Sequence, residues 1–154
     1  MHDVMPRPEP RTRLAAYALC ADEQRRLLVC RISVGYPGAG QWTLPGGGVN
    51  FGEDPAATVL RELREETGLS GADPRLAFVH SGSGVGRPGG ADEPWHGVRI
   101  VYRVDAIGGE LRDEVDESTD RAAWVPINEV DHLPIVDLVR AALDHLAEAN
   151  GAEK

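Results

Sequence analysis

Apolar residues recur along this chain with two periods, and the switch between them marks out the elements. Residues 11–21 (RTRLAAYALCA) and 25–33 (RRLLVCRIS) read as strands that pair as a hairpin around 21–24. Residues 34–41 hold YPGAG and predict a surface loop. A short strand entered at Trp42 leads into a glycine turn at Gly46, Gly47 and Gly48. After a turn at 71–74, residues 75–80 (RLAFVH) predict a strand, and 81–94 (SGSGVGRPGGADEP) a long loop, either a substrate-side lid or idle surface. Over 95–107, Val98, Ile100, Tyr102 and Val104 alternate with Arg99, Val101 and Arg103, as in a strand with two distinct faces. A short strand at 121–125 carries Trp124, and 127–130 reads as one helical turn.

Two stretches have the helical period instead. One begins at Pro134 and carries the stripe Ile135, Leu138, Val139, Ala142, Leu143 and Leu146, which reads as packing. The other has Asp54 as N-cap, Pro55 in the first position and Gly68 at the left-handed C-terminal position. Its Ala56, Leu60, Leu63 and Thr67 face a core, while Glu62, Glu65 and Glu66 fall on a separate arc. That arc contains like-charge pairs at i,i+3 and i,i+4, each costing about 0.2–0.5 kcal/mol, near the helix end where the dipole also disfavours them. Carboxylates that repel one another suit a solvated face or a hard-cation site, since oxygen ligands match Mg²⁺ and Mn²⁺.

The flanking residues decide between these readings. From Gly47 to Leu69 the chain reads GGVNFGEDPAATVLRELREETGL, which resembles the signature of the Nudix hydrolases, Gly-x5-Glu-x7-Arg-Glu-U-x-Glu-Glu-x-Gly-U, with U a bulky aliphatic. All nine constrained positions match: Gly47, Glu53, Arg61, Glu62, Leu63, Glu65, Glu66, Gly68 and Leu69. Average residue usage gives a chance match on the order of 10⁻⁷. The signature covers 23 of 154 residues, and Trp42 and Pro45 also fit the family pattern. The resemblance implies an α/β fold, a Nudix-type α/β/α sandwich with a mixed central sheet.

The resemblance also implies divalent-metal-dependent hydrolysis of a nucleoside diphosphate linked to another group. Glu62, Glu65 and Glu66 would hold Mg²⁺, with Mn²⁺ as an alternative, and the Gly46 carbonyl would be a further ligand. Glu53 and Arg61, with Gly47 and Gly68, would shape the site, because an arginine–carboxylate fork can pin a loop to a helix. Glu62, Glu65 and Glu117 form the expected catalytic set. Glu62 and Glu117 compete as general base, and Asp116 and Asp120 stay open beside Glu117 in the acidic run 110–120 (ELRDEVDESTD). Arg99 and Arg103 are candidate substrate contacts.

Composition bounds the partners. The chain has 25 acidic and 16 basic residues and a net charge of −9, which argues against nucleic-acid binding through the phosphate backbone. Cys20 and Cys30 lie in apolar runs and read as buried, inert thiols. No apolar run reaches membrane-spanning length and no signal-peptide pattern opens the chain, so a cytoplasmic protein without a membrane partner is expected. The division expected is a loose leader at 1–10, a single domain at 11–149 and a tail at 150–154; a homodimer is left open. A small nucleotide is the expected substrate. The further markers that some Nudix subfamilies carry are missing: Gly84 and Val85 stand near the positions of an ADP-sugar proline and a dinucleoside-polyphosphate tyrosine. A non-catalytic nucleotide-sensing module and an RNA cap-removing enzyme are the alternatives.

Overall fold

The computed structural model describes residues 11–85 and 94–152; the expected leader at 1–10 lies outside them. The order of elements is β1 (Thr12–Leu19), β2 (Arg26–Ile32), β3 (Trp42–Thr43), β4 (Gly46–Gly48), α1 (Pro55–Thr67), β5 (Leu69–Val85), β6 (Pro94–Gly109), β7 (Thr119–Pro126), a 3-10 helix (Ile127–His132) and α2 (Asp137–Ala152). The expected central sheet is divided in two: a mixed sheet ordered β4-β1-β6-β5 and an antiparallel one ordered β3-β2-β7. In the first, β1 runs parallel to β6 and antiparallel to β4.

The continuous apolar run Leu27, Leu28, Val29, Cys30 marks a strand buried on both faces, and all four side chains are fully enclosed. Leu27 and Val29 join a core with Leu19, Trp42, Val101 and the α2 residues Leu138, Val139, Ala142 and Leu146. Leu28 points the other way, to Ala16, Ala18, Val104 and the α1 residues Val59 and Leu63. Val101 and Val104 stand on opposite faces of β6 for the same reason of alternation. The sheets are therefore covered by α1 on one side and α2 on the other, an α/β sandwich as expected.

Several local expectations are corrected. The 21–24 turn forms, with the Asp22 carboxylate accepting from the Gln24 and Arg26 amides at 3.1 and 2.8 Å. Its two strands then part into different sheets, joined only near the turn by an Ala21–Leu27 bridge and a 2.9 Å bond from Leu28 N–H to the Cys20 carbonyl. The glycine turn at 46–48 is a strand paired with β1, Tyr17 opposite Gly46 and Ala16 opposite Gly47. The turn at 71–74 is absorbed into the 17-residue β5 as a bulge, with Asp73 at φ 54° and the register shifting between Ala72 and Arg75. Ser81 to Val85 also belong to β5 and pair with Pro94 to Val98, so only 86–93 of the expected loop lie outside the described residues. The last helix starts at Asp137, because Pro134 and Val136 bond the Trp42 main chain (2.8 and 3.1 Å) and extend alongside β3. It ends at Ala152, inside the expected tail.

Candidate active site

Helix α1 is capped as its sequence dictates: the Ala56 amide donates to Asp54 Oδ1 at 2.9 Å, Pro55 opens the first turn, and Gly68 closes the helix at φ 78°. A Cβ on Gly68 would overlap the Glu110 carbonyl, so glycine is required there twice over. The buried side of α1 is wider than the expected stripe. Thr58, Val59, Leu63, Glu66 and Thr67 are buried, whereas Ala56 and Leu60 are only partly so. Glu66 thus sits on the inward side, 4% exposed, Glu62 is half-buried, and Glu65 alone faces solvent. The glutamate arc is the rim of the buried face rather than a separate side.

Each carboxylate is already engaged. Glu66 Oε2 accepts from the Gly46 N–H at 2.9 Å, which ties Gly46 to the cluster through its amide. Glu62 packs on Gly47, where an added Cβ would come within 2.8 Å of Oε1. Arg61 donates through its Nη1 to Glu62 at 3.0 Å and to Glu65 at 3.3 Å. With Nε and Nη2 it forks onto Glu53 at 2.9 and 3.0 Å. Thr58 also donates to Glu53, at 2.6 Å, and the Asn50 amide at 3.3 Å. The fork ties the loop before the helix to its second turn. Arg61, with Thr58 next, holds the Glu53 carboxyl down to about 2. The same bond to Glu53 raises Arg61 further above its ordinary value.

The field around Glu66 has the opposite sign. Burial pushes it well above the usual carboxylate range; the Gly46 amide opposes this, and Glu62, Glu114 and Glu65 add to it. Burial also raises Glu62, against Arg61 and with Glu65. Glu114 is the carboxylate that sequence reasoning missed. It is half-buried and raised by burial, opposed by its bond from Thr119 (3.3 Å) and pushed further by Glu117, Glu62 and Glu65. The acidic run reaches the cluster because it is fastened to the end of α1: the Arg112 amide donates to the Thr67 carbonyl at 2.9 Å and its guanidinium to the Arg64 carbonyl at 3.4 Å. Asp113 holds the Ala122 amide at 3.0 Å. Glu117 and Asp116 are exposed, and Asp120 pairs with Arg31 at 2.8 Å.

Tyr17, also unforeseen, lies between the opposed charges. Burial raises its phenol, Arg13 and Arg99 lower it, and Glu66 and Glu62 raise it. Arg99 thus shares the surroundings of Tyr17 with these carboxylates. Arg103 does not: it stands four residues further along β6, opposite Leu19, and its charge acts on Cys20. Cys20 and Cys30 are free, buried thiols, and burial lifts Cys20 to about 11.

A metal can be tested against this donor set. Among the described residues no three His, Cys, Asp or Glu side chains already stand at metal-binding spacing. The chemistry nonetheless suits a hard cation: a buried carboxylate lies in the field of three others, and its hydrogen bond among the described residues is to one neutral amide.

The NUDIX domain family model matches residues 11–146. An ADP-ribose pyrophosphatase of Methanocaldococcus jannaschii is 34% identical over 115 residues, 75% of this chain and 63% of that protein. An RNA pyrophosphohydrolase of Acidiphilium cryptum is 45% identical over 151 residues, 88% of this chain and 91% of that one. A MutT NUDIX hydrolase of Burkholderia pseudomallei has the same fold, with a TM-score of 0.73, 27% identity, and coverage of 88% and 98% of the two chains. The chain belongs to the Nudix family. It is a hydrolase of the class that splits pyrophosphate bonds in nucleotide derivatives, and enzymes of that class work with divalent metal ions.

Proposed function

We propose that this chain uses Mg²⁺, or Mn²⁺ in its place, to hydrolyse the pyrophosphate bond of a small nucleotide such as a nucleoside triphosphate. The observation that carries this reading is the enclosed Glu66 carboxylate among Glu62, Glu65 and Glu114, on the arc of the family signature. Glu62, Glu65 and Glu66 would hold the ion, with the Gly46 carbonyl as a further ligand. Such an ion, when bound, neutralises phosphate oxygens and lowers the pKa of bound water.

The chain's own groups do the rest. Arg61 orients Glu62 and Glu65 while anchoring Glu53, a positioning role that depends on its planar fork. Glu114 takes the part given to Glu117 in the sequence reading, because it is the residue of the acidic run whose charge reaches Glu66. With its proton affinity raised by burial, it suits acceptance of a proton from attacking water. Glu62 remains the competing base. Arg99 contacts substrate phosphate, and Arg103 is assigned to the sheet surface.

The test is a panel of nucleoside triphosphates and nucleotide diphosphate derivatives with Mg²⁺ or Mn²⁺, scored for phosphate, pyrophosphate and nucleoside monophosphate. Turnover that ceases in chelator and returns with metal supports the reading; equal turnover in excess chelator overturns it. The Acidiphilium relative supplies a second reading, removal of phosphate from an RNA 5′ end, despite the charge of −9. A 5′-triphosphorylated RNA belongs in the panel, and a kcat/KM for it above that of every free nucleotide favours this second reading.

A further inference from the structure

The segment SGSGV at 81–85, which the sequence alone presents as loop, has a stricter order in the structure. From Ser81 to Val85 exposure alternates: Ser81, Ser83 and Val85 are open to solvent, and Gly82 and Gly84 are half-covered. Strand pairing sets Gly82 opposite Gly97 and Gly84 opposite Trp95, and in β1 it sets Arg13 opposite Gly97 and Ala15 opposite Arg99. Trp95, Gly97, Arg99 and Val101 therefore share one face of β6, with Gly84, Gly82, His80 and Phe78 beside them and Arg13, Ala15 and Tyr17 on the other flank.

The glycines leave a cleared floor, and two large side chains lie across it. A Cβ on Gly84 would meet the Trp95 indole at 3.0 Å, and one on Gly82 would meet the Arg99 guanidinium at 3.1 Å and the indole at 3.6 Å. Indole edge and guanidinium are thus neighbours over the same point. Trp95 Nε1 is enclosed and has no hydrogen-bond partner among the described residues, so packing on the glycines places the ring. Trp95 remains half-exposed, as does Arg99, which bonds His80 at 3.2 Å. Arg13 lies along the β4 side, its guanidinium 3.5 Å from where a Gly48 Cβ would stand. Neither arginine forms an ion pair with a carboxylate among the described residues.

This face therefore carries, in sequence, Tyr17 beside Gly46, then two arginines, then an aromatic plane, and the glutamates approach the Gly46 end from the α1 side, where Glu66 accepts from the Gly46 amide and Glu62 packs on Gly47. From the Tyr17–Val101 row to the Gly97–Gly82 row is four residues of β6, about 13 Å at about 3.3 Å per residue. A nucleoside polyphosphate spans such a length, with its anionic end toward the carboxylates.

We propose that Trp95 is the stacking platform for the nucleobase and that Arg13 and Arg99 grip the phosphates between it and the glutamates. This rests on the hydrolase reading for the direction in which the substrate lies. The substrate class is a nucleotide with a planar base, selected by stacking rather than by base-edge hydrogen bonds, which makes the enzyme tolerant of base identity. Alternating glycines in β5 are then a specificity device: they lower the floor so that the indole lies flat.

The experiment is calorimetric titration of the full chain in Mg²⁺ with a nucleoside triphosphate made non-hydrolysable by an imido bridge, and with inorganic tripolyphosphate as the base-free probe. Trp95→Ala should weaken the nucleotide about 5- to 100-fold and leave tripolyphosphate within about twofold. Trp95→Phe should keep most of the affinity. Gly84→Ala retains the indole but displaces it, and should reproduce the Trp95→Ala pattern in a protein of unchanged circular dichroism. Arg13→Gln and Arg99→Gln should weaken both ligands. Equal loss of both ligands in Trp95→Ala, no loss of either, or a parent protein that binds no nucleoside triphosphate overturns the proposal. Because binding is read without turnover, a protein that binds as described but hydrolyses nothing sinks the hydrolase reading alone. One that hydrolyses nucleotides with Trp95→Ala affinity unchanged sinks the platform alone.

Discussion

The two helices of this domain have similar lengths and opposite economies. Helix α2 buries Leu138, Val139, Ala142 and Leu146 against the sheet, as an amphipathic stripe should. Helix α1 buries Val59 and Leu63 in the same manner, but on the same inward side it also encloses Thr58, Thr67 and the carboxylate of Glu66. Thr58 and Thr67 are satisfied locally, Thr67 Oγ1 donating to the Leu63 carbonyl at 2.6 Å. Glu66 is not relieved in this way, since burial and three neighbouring carboxylates all oppose its charge. One helix is built for stability, and the other carries a buried carboxylate whose cost a bound cation would offset.

That contrast breaks most visibly when one residue on each helix is changed. Glu66→Gln should reduce kcat on the order of 10³-fold while raising Tm in chelator, because the amide keeps the Gly46 hydrogen bond and sheds the buried charge. Glu65→Gln, on an exposed residue, should cost similar activity with little change in Tm. Leu138→Ala should behave inversely, losing about 2–5 kcal/mol of stability with kcat per folded molecule retained. Kinetics with and without metal, set beside thermal melts in chelator, check all three. Full activity in both glutamate variants would remove the reason for separating the helices.

The same logic applies within the acidic run. If Glu114 accepts the water proton, Glu114→Gln should lower kcat about 10²-fold or more and remove the acidic limb of the pH–rate profile. Glu117→Gln should stay within a few-fold, because this exposed residue acts on the cluster only through Glu114. A severe Glu117→Gln beside a mild Glu114→Gln would restore the sequence-based choice. If both are mild, Glu62 is the base.

How far the sequence reached follows from the range of each signal. Caps, periodicity and the arc of glutamates are local, and α1 runs from Pro55 to Thr67 between the expected Asp54 and Gly68. The signature gave Glu53 and Arg61 their fork because both residues lie within it. Glu114 and Tyr17 were illegible for the reverse reason: each joins the site through contacts made far along the chain. Tyr17 comes opposite Gly46 through strand pairing, and Glu114 arrives because Arg112 satisfies the open carbonyls at the end of α1. Arginine soon after a long acidic stretch begins, at a helix C-terminus in need of donors, was the available hint. The glycines misled in both places. Gly46–Gly48 and Gly82–Gly84 were read as turn and loop, yet they are strands whose missing Cβ atoms leave room for Glu62, Trp95 and Arg99.

A smaller effect tests whether α1 depends on its preceding loop. Arg61→Lys keeps the charge but cannot bond Glu53 with two parallel N–H groups and also reach Glu62 and Glu65. Activity should fall about 10- to 100-fold, as for groups that orient metal ligands. Amide exchange should accelerate at Asn50, Gly52 and Glu53, while the α2 amides should not change. An Arg61→Lys protein with parent kinetics and parent loop protection would show that the loop is held by other contacts.

The smallest effect is on stability against pH, and it isolates the Glu53 end of that fork. Glu53 has a folded value of about 2 against an ordinary 4.5, chiefly because of Arg61 and then Thr58. A depressed carboxyl stabilises the fold only while the charge favours the folded state. Its contribution is therefore complete above about pH 4.5 and is lost as pH falls through about 2. Glu53→Gln removes the charge at every pH but can still accept from Thr58. The Tm gap between parent and variant should be widest near neutral pH and should narrow as pH falls below 4.5. High salt should reduce it only partly, since these are short hydrogen bonds with the Glu53 side chain 19% exposed. Melting both proteins in chelator at a series of pH values checks this without any effect from bound metal. A gap that is flat in pH, or that widens on acidification, would mean that the fork holds the loop by shape rather than by charge.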